Sequence, residues 1–126
     1  MRMKEKLIAL MEKYKSQGLV KGSHLLLPPK NALKLVAELE RLNVVVLGVD
    51  GWYYVRPDDP KWLAEDRTLD MYIGDDVLHG DSPVHEGAAK VKDFIENHLH
   101  ETTPFVDLTL DIPVEWDILQ IQNESS

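Results

Sequence analysis

The sequence predicts an α+β fold, a single small domain with three helices packed on a largely antiparallel sheet of about four strands. Apolar residues recur at the helical period in three segments, near residues 3–17, 29–42 and 83–100. Strand-forming runs lie between the second and third of these segments, and one more follows the third. This order, with a predicted hairpin at its centre, differs from the regular alternation of strands and helices in a doubly wound sheet.

Local signals at the helix ends support the three predicted helices. Gly18 is placed to end the first helix, and residues 18–27 then form a predicted linker. Pro28-Pro29 favours the start of the second helix, because proline fits the first helical turn. Asn43 can adopt the left-handed conformation that stops that helix, and Ser82-Pro83 supplies a cap and a first residue for the third.

The clearest local signal is a β-hairpin predicted over residues 44–55. Two runs rich in β-branched and aromatic residues flank Asp50-Gly51. This dipeptide is typical of a type I′ turn, in which both central residues need positive φ. We therefore predict two paired strands with the turn at Asp50-Gly51.

Two further strands and a single domain complete the predicted fold. Residues 68–73 favour a third strand, and residues 106–112 alternate apolar and polar side chains as a half-exposed strand does. Residues 113–122 can add a short strand or a turn. We expect one domain over residues 1–122 and a frayed tail over residues 123–126.

Composition and charge limit the possible functions. The chain of 126 residues has no cysteine, which excludes a disulfide framework and a thiol nucleophile. It has neither a signal-peptide pattern nor an apolar run long enough to span a membrane, so we expect a cytoplasmic protein. The net charge of −8 comes from residues 58–86 (−7) and 101–126 (−6), against +5 in residues 1–47. Such a field disfavours nucleic acids and favours a basic partner, unless the acidic loops only maintain solubility.

One short segment concentrates possible metal ligands. Imidazole and carboxylate groups suit zinc or manganese, but the spacing matches neither HExxH nor an EF-hand loop. An exposed loop that leads into a capped helix has the same composition, so we expect no metal and no cofactor. A small-molecule- or metal-binding domain that uses this loop, with or without catalysis, is the alternative function. The residues concerned are Asp75, Asp76, His79, Asp81, His85 and Glu86.

Features typical of catalytic sites are few. The serines lie in no GxSxG motif, and Gly48 and Gly51 belong to the predicted turn rather than to a phosphate-binding loop. In so acidic a region, pairs of carboxylates are expected by chance. His98 and His100 lie near the end of the third helix, where imidazole can contact unpaired carbonyls. We therefore predict that the protein is not an enzyme.

Two segments resemble a family of bacterial proteins. Residues 27–33 (Leu-Pro-Pro-Lys-Asn-Ala-Leu) start a helix with proline, lysine and an Ala-Leu pair, and residues 39–50 lead into an apolar strand that ends in Gly-Val-Asp. This pattern resembles bacterial polymorphic-toxin immunity proteins, in particular the immunity protein 40 family. The resemblance implies a protein without catalysis or cofactor that binds and neutralises one cognate toxin domain in the cell that makes it.

A candidate partner-binding site follows from acids and aromatics in the acidic segment. Aromatic side chains can anchor a protein interface, and carboxylates at its rim can steer a basic partner. The alternative is that the aromatics pack in the core from alternate faces of the hairpin. The candidate residues are Asp58, Asp59, Trp62, Tyr72, Asp75, Asp76 and Asp81.

Overall fold

The computed structural model describes residues 2–119 and confirms the predicted α+β class. In that range the α-helices are α1 (Met3–Lys15), α2 (Pro29–Arg41), α3 (Asp75–Leu78) and α4 (Pro83–Asn97). The strands are β1 (Leu19–Lys21), β2 (His24–Leu26), β3 (Val46–Tyr54), β4 (Leu63–Tyr72) and β5 (Phe105–Leu110). The three predicted helices correspond to α1, α2 and α4. Among residues 2–119, none of the α-helices combines the length and the apolar composition of a membrane span.

The predicted sheet of about four strands is a three-stranded sheet with a hairpin attached to it. The three strands are antiparallel in the order β4-β3-β5, and β1 and β2 form a separate antiparallel pair. Leu27 joins the two, because its N–H and C=O pair with Val106 of β5 at 2.9 and 2.8 Å. The hairpin therefore continues the sheet on its β5 side for one residue.

The predicted turn at Asp50-Gly51 is wrong. β3 passes through both residues without reversing, and the chain turns over residues 55–62, where Asp58 adopts a φ of 57°. The carboxylate of Asp50 accepts a hydrogen bond from Tyr72 on the neighbouring strand, which fixes it inside the sheet. A tertiary contact thus overrides the local turn preference of Asp-Gly.

Gly51 serves a β-bulge rather than a turn. The pairing of β3 with β4 shifts register between Asp50 and Gly51. A Cβ atom at Gly51 would lie 3.0 Å from the Cβ of Leu69, so the close approach of the two strands favours glycine there.

The predicted linker, residues 18–27, forms the β1–β2 hairpin instead. Gly22 supplies the turn with a φ of 60°. Gly18 does not end α1, which stops at Lys15; its backbone lies against the hairpin, where an added Cβ would be 2.1 Å from the carbonyl oxygen of Leu26. The sequence pattern does not predict this hairpin, because each of its strands has only three residues.

The helices and the hairpin cover different parts of the sheet. The main core lies between α1, α2, α4 and the sheet face that carries Val49 and Val106. Side chains alternate along a strand, so Asp50 and Trp52 point to the opposite face. There the hairpin covers only the Trp52 end, through a second cluster with Leu26 and Leu63. No helix of residues 2–119 covers the rest of this face.

Polar contacts join the helices to one another. Tyr14 of α1 donates a hydrogen bond to Glu38 of α2.

The helix ends agree only in part with the prediction. Asn43, at a φ of 63°, follows α2 in the left-handed conformation that is predicted to stop it. Ser82 precedes α4 as predicted but makes no side-chain capping hydrogen bond. His98 ends α4, and its Nε2 lies 3.4 Å from Asp93, a carboxylate rather than the predicted carbonyls.

The segment after β5 contains turns. Residues 113–119 form no strand, although Leu119 is buried against the main core. The remainder of the predicted strand or turn, residues 120–122, and the predicted frayed tail lie outside the described residues.

Candidate functional site

The predicted partner-binding residues fall into two groups at opposite ends of β4. The ends of the strand pair with Gly48 and Tyr54, which are six residues apart on β3, so the groups are separated by about 20 Å. The group before β4 contains Asp58, Asp59 and Trp62, and the group at and after its end contains Tyr72, Asp75, Asp76 and Asp81. They do not form one compact cluster.

In the first group, the polar side chains shape the loop before β4. Asp59 accepts a hydrogen bond of 3.1 Å from the backbone N–H of Lys61. The side chain of Trp62 is 39% exposed, and the guanidinium of Arg56 lies 4.3 Å from its ring centre. The loop therefore presents Trp62 at the surface together with its own cation.

In the second group, Tyr72 is the aromatic residue. Its side chain is 52% exposed while its hydroxyl donates to the buried Asp50. Asp75 and Asp76 form the first turn of α3, where negative charge is favourable, and both are exposed. Asp81 is exposed between α3 and α4. Tyr72 and Asp76 line one shallow cavity, so this end of β4 does bring predicted residues together.

A row of acids that the sequence did not single out crosses the same sheet. Asp107 of β5, Asp50 of β3 and Asp70 of β4 are direct neighbours in register, so their side chains share the face opposite the helices. Asp50 and Asp107 are buried, and Asp70 is exposed. Like charges in directly opposite positions destabilise an antiparallel pair. The fold therefore maintains this acidic row at a cost in stability.

The surroundings of the acidic row alter its protonation. Burial raises the pKa of Asp107 to about 6, although the hydrogen bond from His24 acts in the opposite direction. Burial also raises the pKa of Asp50, against the effect of the Tyr72 hydroxyl. Burial and the hydrogen bond to Asp50 raise the pKa of Tyr72 to about 12. The row thus combines buried acids with an exposed one, an arrangement that a cation would stabilise.

The β1–β2 hairpin places an imidazole beside this row. His24 Nδ1 lies 2.6 Å from Asp107 Oδ2, and its ring is 5.3 Å from the ring of Trp52. The indole N–H of Trp52 is buried without a hydrogen-bond partner among residues 2–119. Local sequence signals do not predict this arrangement, because they place His24 in a linker and Asp50 in a turn.

A cavity of about 450 Å³ adjoins the His24–Asp107 pair. It extends along the outer side of β5, between that strand and β2. Ser23 and Thr109 add hydroxyl groups near the pair, while α1 and α2 provide an apolar wall. Residues 112–119 form the remaining wall. This size lies within the range of pockets that hold small ligands, about 300–1,000 Å³.

In the loop that is the candidate metal site, His85 has a different role. His85 Nδ1 lies 2.7 Å from Glu40 Oε2, and Lys92 Nζ lies 3.1 Å from the other oxygen of that carboxylate. These contacts tie α4 to α2, and they hold the pKa of Glu40 below its usual value. Among residues 2–119, no group of three or more histidine and acidic side chains could hold a metal ion.

Comparison with known proteins adds no assignment. No protein-family model matches the chain, and no curated protein sequence is significantly similar to it. The function is therefore inferred from the site itself.

Proposed function

We propose that this protein binds a basic cognate toxin domain and neutralises it in the cytoplasm of the bacterium that makes it, without catalysis and without a cofactor. The observation that supports this most is the acidic row of Asp107, Asp50 and Asp70, on a sheet face that none of the described helices covers. The row is costly in the free protein, and a lysine or arginine of a partner would offset that cost.

Neighbouring residues extend the acidic row into a surface suited to a protein. Tyr72 lies on the row's side of the sheet and combines an exposed ring with a hydroxyl already bonded to Asp50. Aromatic side chains of this kind are enriched where partners bury surface. Beyond the strand end, Asp75 and Asp76 add exposed charge that can steer a basic partner during encounter. We propose this end of β4 as the main contact region.

The test is the association rate with a protein encoded by the neighbouring toxin gene. Asp70→Lys places a cation in the exposed end of the acidic row, and Glu96→Lys makes the same change in net charge on an exposed site of α4. We expect Asp70→Lys to slow association at least tenfold at low salt, and Glu96→Lys to change it less than threefold.

Two results would contradict the proposal. If no protein encoded beside this gene binds the chain, the immunity function is wrong. If both variants slow association equally, net charge rather than the acidic row attracts the partner.

A further inference from the structure

Beyond Val106, the outer edge of β5 faces the 450 Å³ cavity, which residues 112–119 border on another side. In an antiparallel strand, the N–H and C=O of one residue point to the same side. Val106 bonds outward to Leu27, so Leu108 and Leu110 also direct their backbone groups outward. Within residues 2–119, these outward groups make no backbone hydrogen bond. Among the described residues, β5 therefore leaves the strand-pairing groups of Leu108 and Leu110 without a backbone partner.

β2 presents a second open edge to the same space. His24 pairs with Lys21 at the turn of the hairpin, so the backbone groups of Leu25 point away from β1, on the side that Leu27 uses to reach Val106. The two edges meet at that bridge, and among residues 2–119 no second backbone pair joins them. Between them lies the 450 Å³ cavity, which Leu25 and Leu108 both line. We name this space the β2–β5 wedge.

The two faces of the wedge differ in polarity. On the helix side it is lined by Met11 of α1 and by Leu35 and Leu39 of α2. On the other side it is lined by the His24–Asp107 pair and by nearby hydroxyl groups. An extended chain alternates its side chains between two faces. A segment that pairs with β5 would thus place every second side chain against leucines and the others beside a carboxylate.

We infer that the β2–β5 wedge binds an extended segment of a protein partner in which apolar and cationic side chains alternate. Such a segment would pair with the free backbone groups of Leu108, and those of Leu25 lie across the same space. Its cationic side chains would complement Asp107, the member of the acidic row that lines the wedge. This inference specifies how the toxin of the proposed function would contact the chain, and rests on that function for the class of partner.

The β1–β2 hairpin does not continue along the edge of β5 into the β2–β5 wedge. After Leu27, Pro28 has no N–H to donate and Pro29 begins α2, so the chain leaves the edge after one pair. The other free edge, that of β4, is protected differently. It carries a register shift and exposed charges, devices that discourage strand addition. The β5 edge has apolar side chains beside it instead.

Synthetic peptides test the inference without the toxin. The probe is an amidated hexapeptide of alternating lysine and valine, titrated by calorimetry and by backbone-amide NMR. One control has the same composition in two blocks, and a second carries N-methyl groups on alternate residues. We expect the alternating peptide to bind at least tenfold more tightly than both controls, with amide shifts at Leu25, Leu108 and Leu110.

Protein variants locate the binding. Ser23 is exposed at the mouth of the wedge, so Ser23→Trp should obstruct it and weaken peptide binding at least tenfold. Glu96→Trp, on exposed α4, should leave binding unchanged. Equal affinity for all three peptides would overturn the inference, since charge alone would then explain binding. If the alternating peptide does not bind, the inference is also wrong. That holds even where another segment of this chain, or a second copy of it, fills the wedge.

The outcome is separate from that of the proposed function. Asp70 lies on β4, on the far side of β3 from the wedge, so Asp70→Lys should change peptide affinity less than threefold. Toxin binding without peptide binding overturns only the inference that the β2–β5 wedge binds an extended segment. Peptide binding in a chain that binds no neighbouring toxin overturns only the immunity function.

Discussion

Asp50 and Asp107 lie directly opposite each other on β3 and β5, and each carboxylate takes its hydrogen bond from a different outer element. Tyr72 of β4 donates to Asp50, and His24 of the hairpin lies 2.6 Å from Asp107. The two acids are thus stabilised from opposite sides. The position of the β1–β2 hairpin, which places His24 beside Asp107, therefore affects the charge of this sheet face.

The first prediction concerns the pH dependence of stability at Asp107. Its folded-state pKa of about 6 exceeds the ordinary value of about 3.9, so the native state binds the proton more tightly. Its contribution to stability is therefore complete below pH 4 and is lost as the pH rises through 6. The pKa of Asp107 is raised further by the charges of Asp50 and Glu65 and is lowered by His24. The loss is at most about 3 kcal/mol.

Urea unfolding of the wild type and of Asp107→Asn between pH 4 and pH 7 checks this. Asparagine cannot titrate, so the variant should become more stable relative to the wild type as the pH rises across that range. A difference between the two proteins that stays constant with pH would contradict the prediction.

The second prediction concerns the joint between α1 and α2. Tyr14 is only 2% exposed, and its hydroxyl bonds to Glu38, which lowers the pKa of that carboxyl. Tyr14→Phe should cost about 2 kcal/mol of unfolding free energy at pH 7, the range for a hydrogen bond to a charged group. The cost should shrink as the pH falls and Glu38 becomes protonated, because a depressed pKa stabilises only above the ordinary value.

Lys13→Met is the control for that joint. Lys13 also contacts Glu38, at 3.1 Å, but it is largely exposed. Its loss should cost less than about 1 kcal/mol. Equal costs for the two variants would show that charge, rather than the buried hydroxyl, holds α1 against α2.

The third prediction concerns two glycines of β3. A Cβ atom at Gly48 would lie 2.4 Å from the ring of Tyr72 and 2.5 Å from the carbonyl oxygen of Met71. Gly48→Ala must displace that ring, and should cost about 2 kcal/mol or more. Gly51→Ala meets Leu69 at 3.0 Å and should cost less. Thermal unfolding of the two variants provides the comparison; a larger loss for Gly51→Ala would contradict it.

The sequence predicted those parts of the fold that local signals determine. α2 shows this, because Pro29 starts it, an apolar stripe defines its buried face, and Asn43 stops it. The acidic row could not be predicted in this way. Its three members come from three strands, and only the register of those strands makes them neighbours.

The predicted turn at Asp50-Gly51 shows that tertiary contacts can also override a local signal. The dipeptide has a strong local preference, but Tyr72 and a β-bulge hold it in the middle of a strand. The predicted partner-binding residues share only their composition and their proximity in sequence. The structure separates them because β4 extends between the two groups.

The fourth prediction distinguishes these two groups in the proposed complex. Asp75 and Asp76 are exposed charges, so the double variant Asp75→Lys/Asp76→Lys should slow association, most strongly at low salt, with little effect on dissociation. Trp62 presents an aromatic surface, so Trp62→Ala should act on dissociation instead. A loss of about 2 kcal/mol corresponds to a roughly thirtyfold faster dissociation.

The geometry of Trp62 defines the control for that effect. Arg56 lies against its ring, so truncation could act by releasing the arginine rather than by removing a contact. Arg56→Met leaves the ring in place and removes the cation. If Trp62 anchors the partner, Arg56→Met should retain slow dissociation while Trp62→Ala loses it. If Trp62→Ala leaves the dissociation rate unchanged, the partner contacts only the Tyr72 end of β4, and the loop before the strand lies outside the interface.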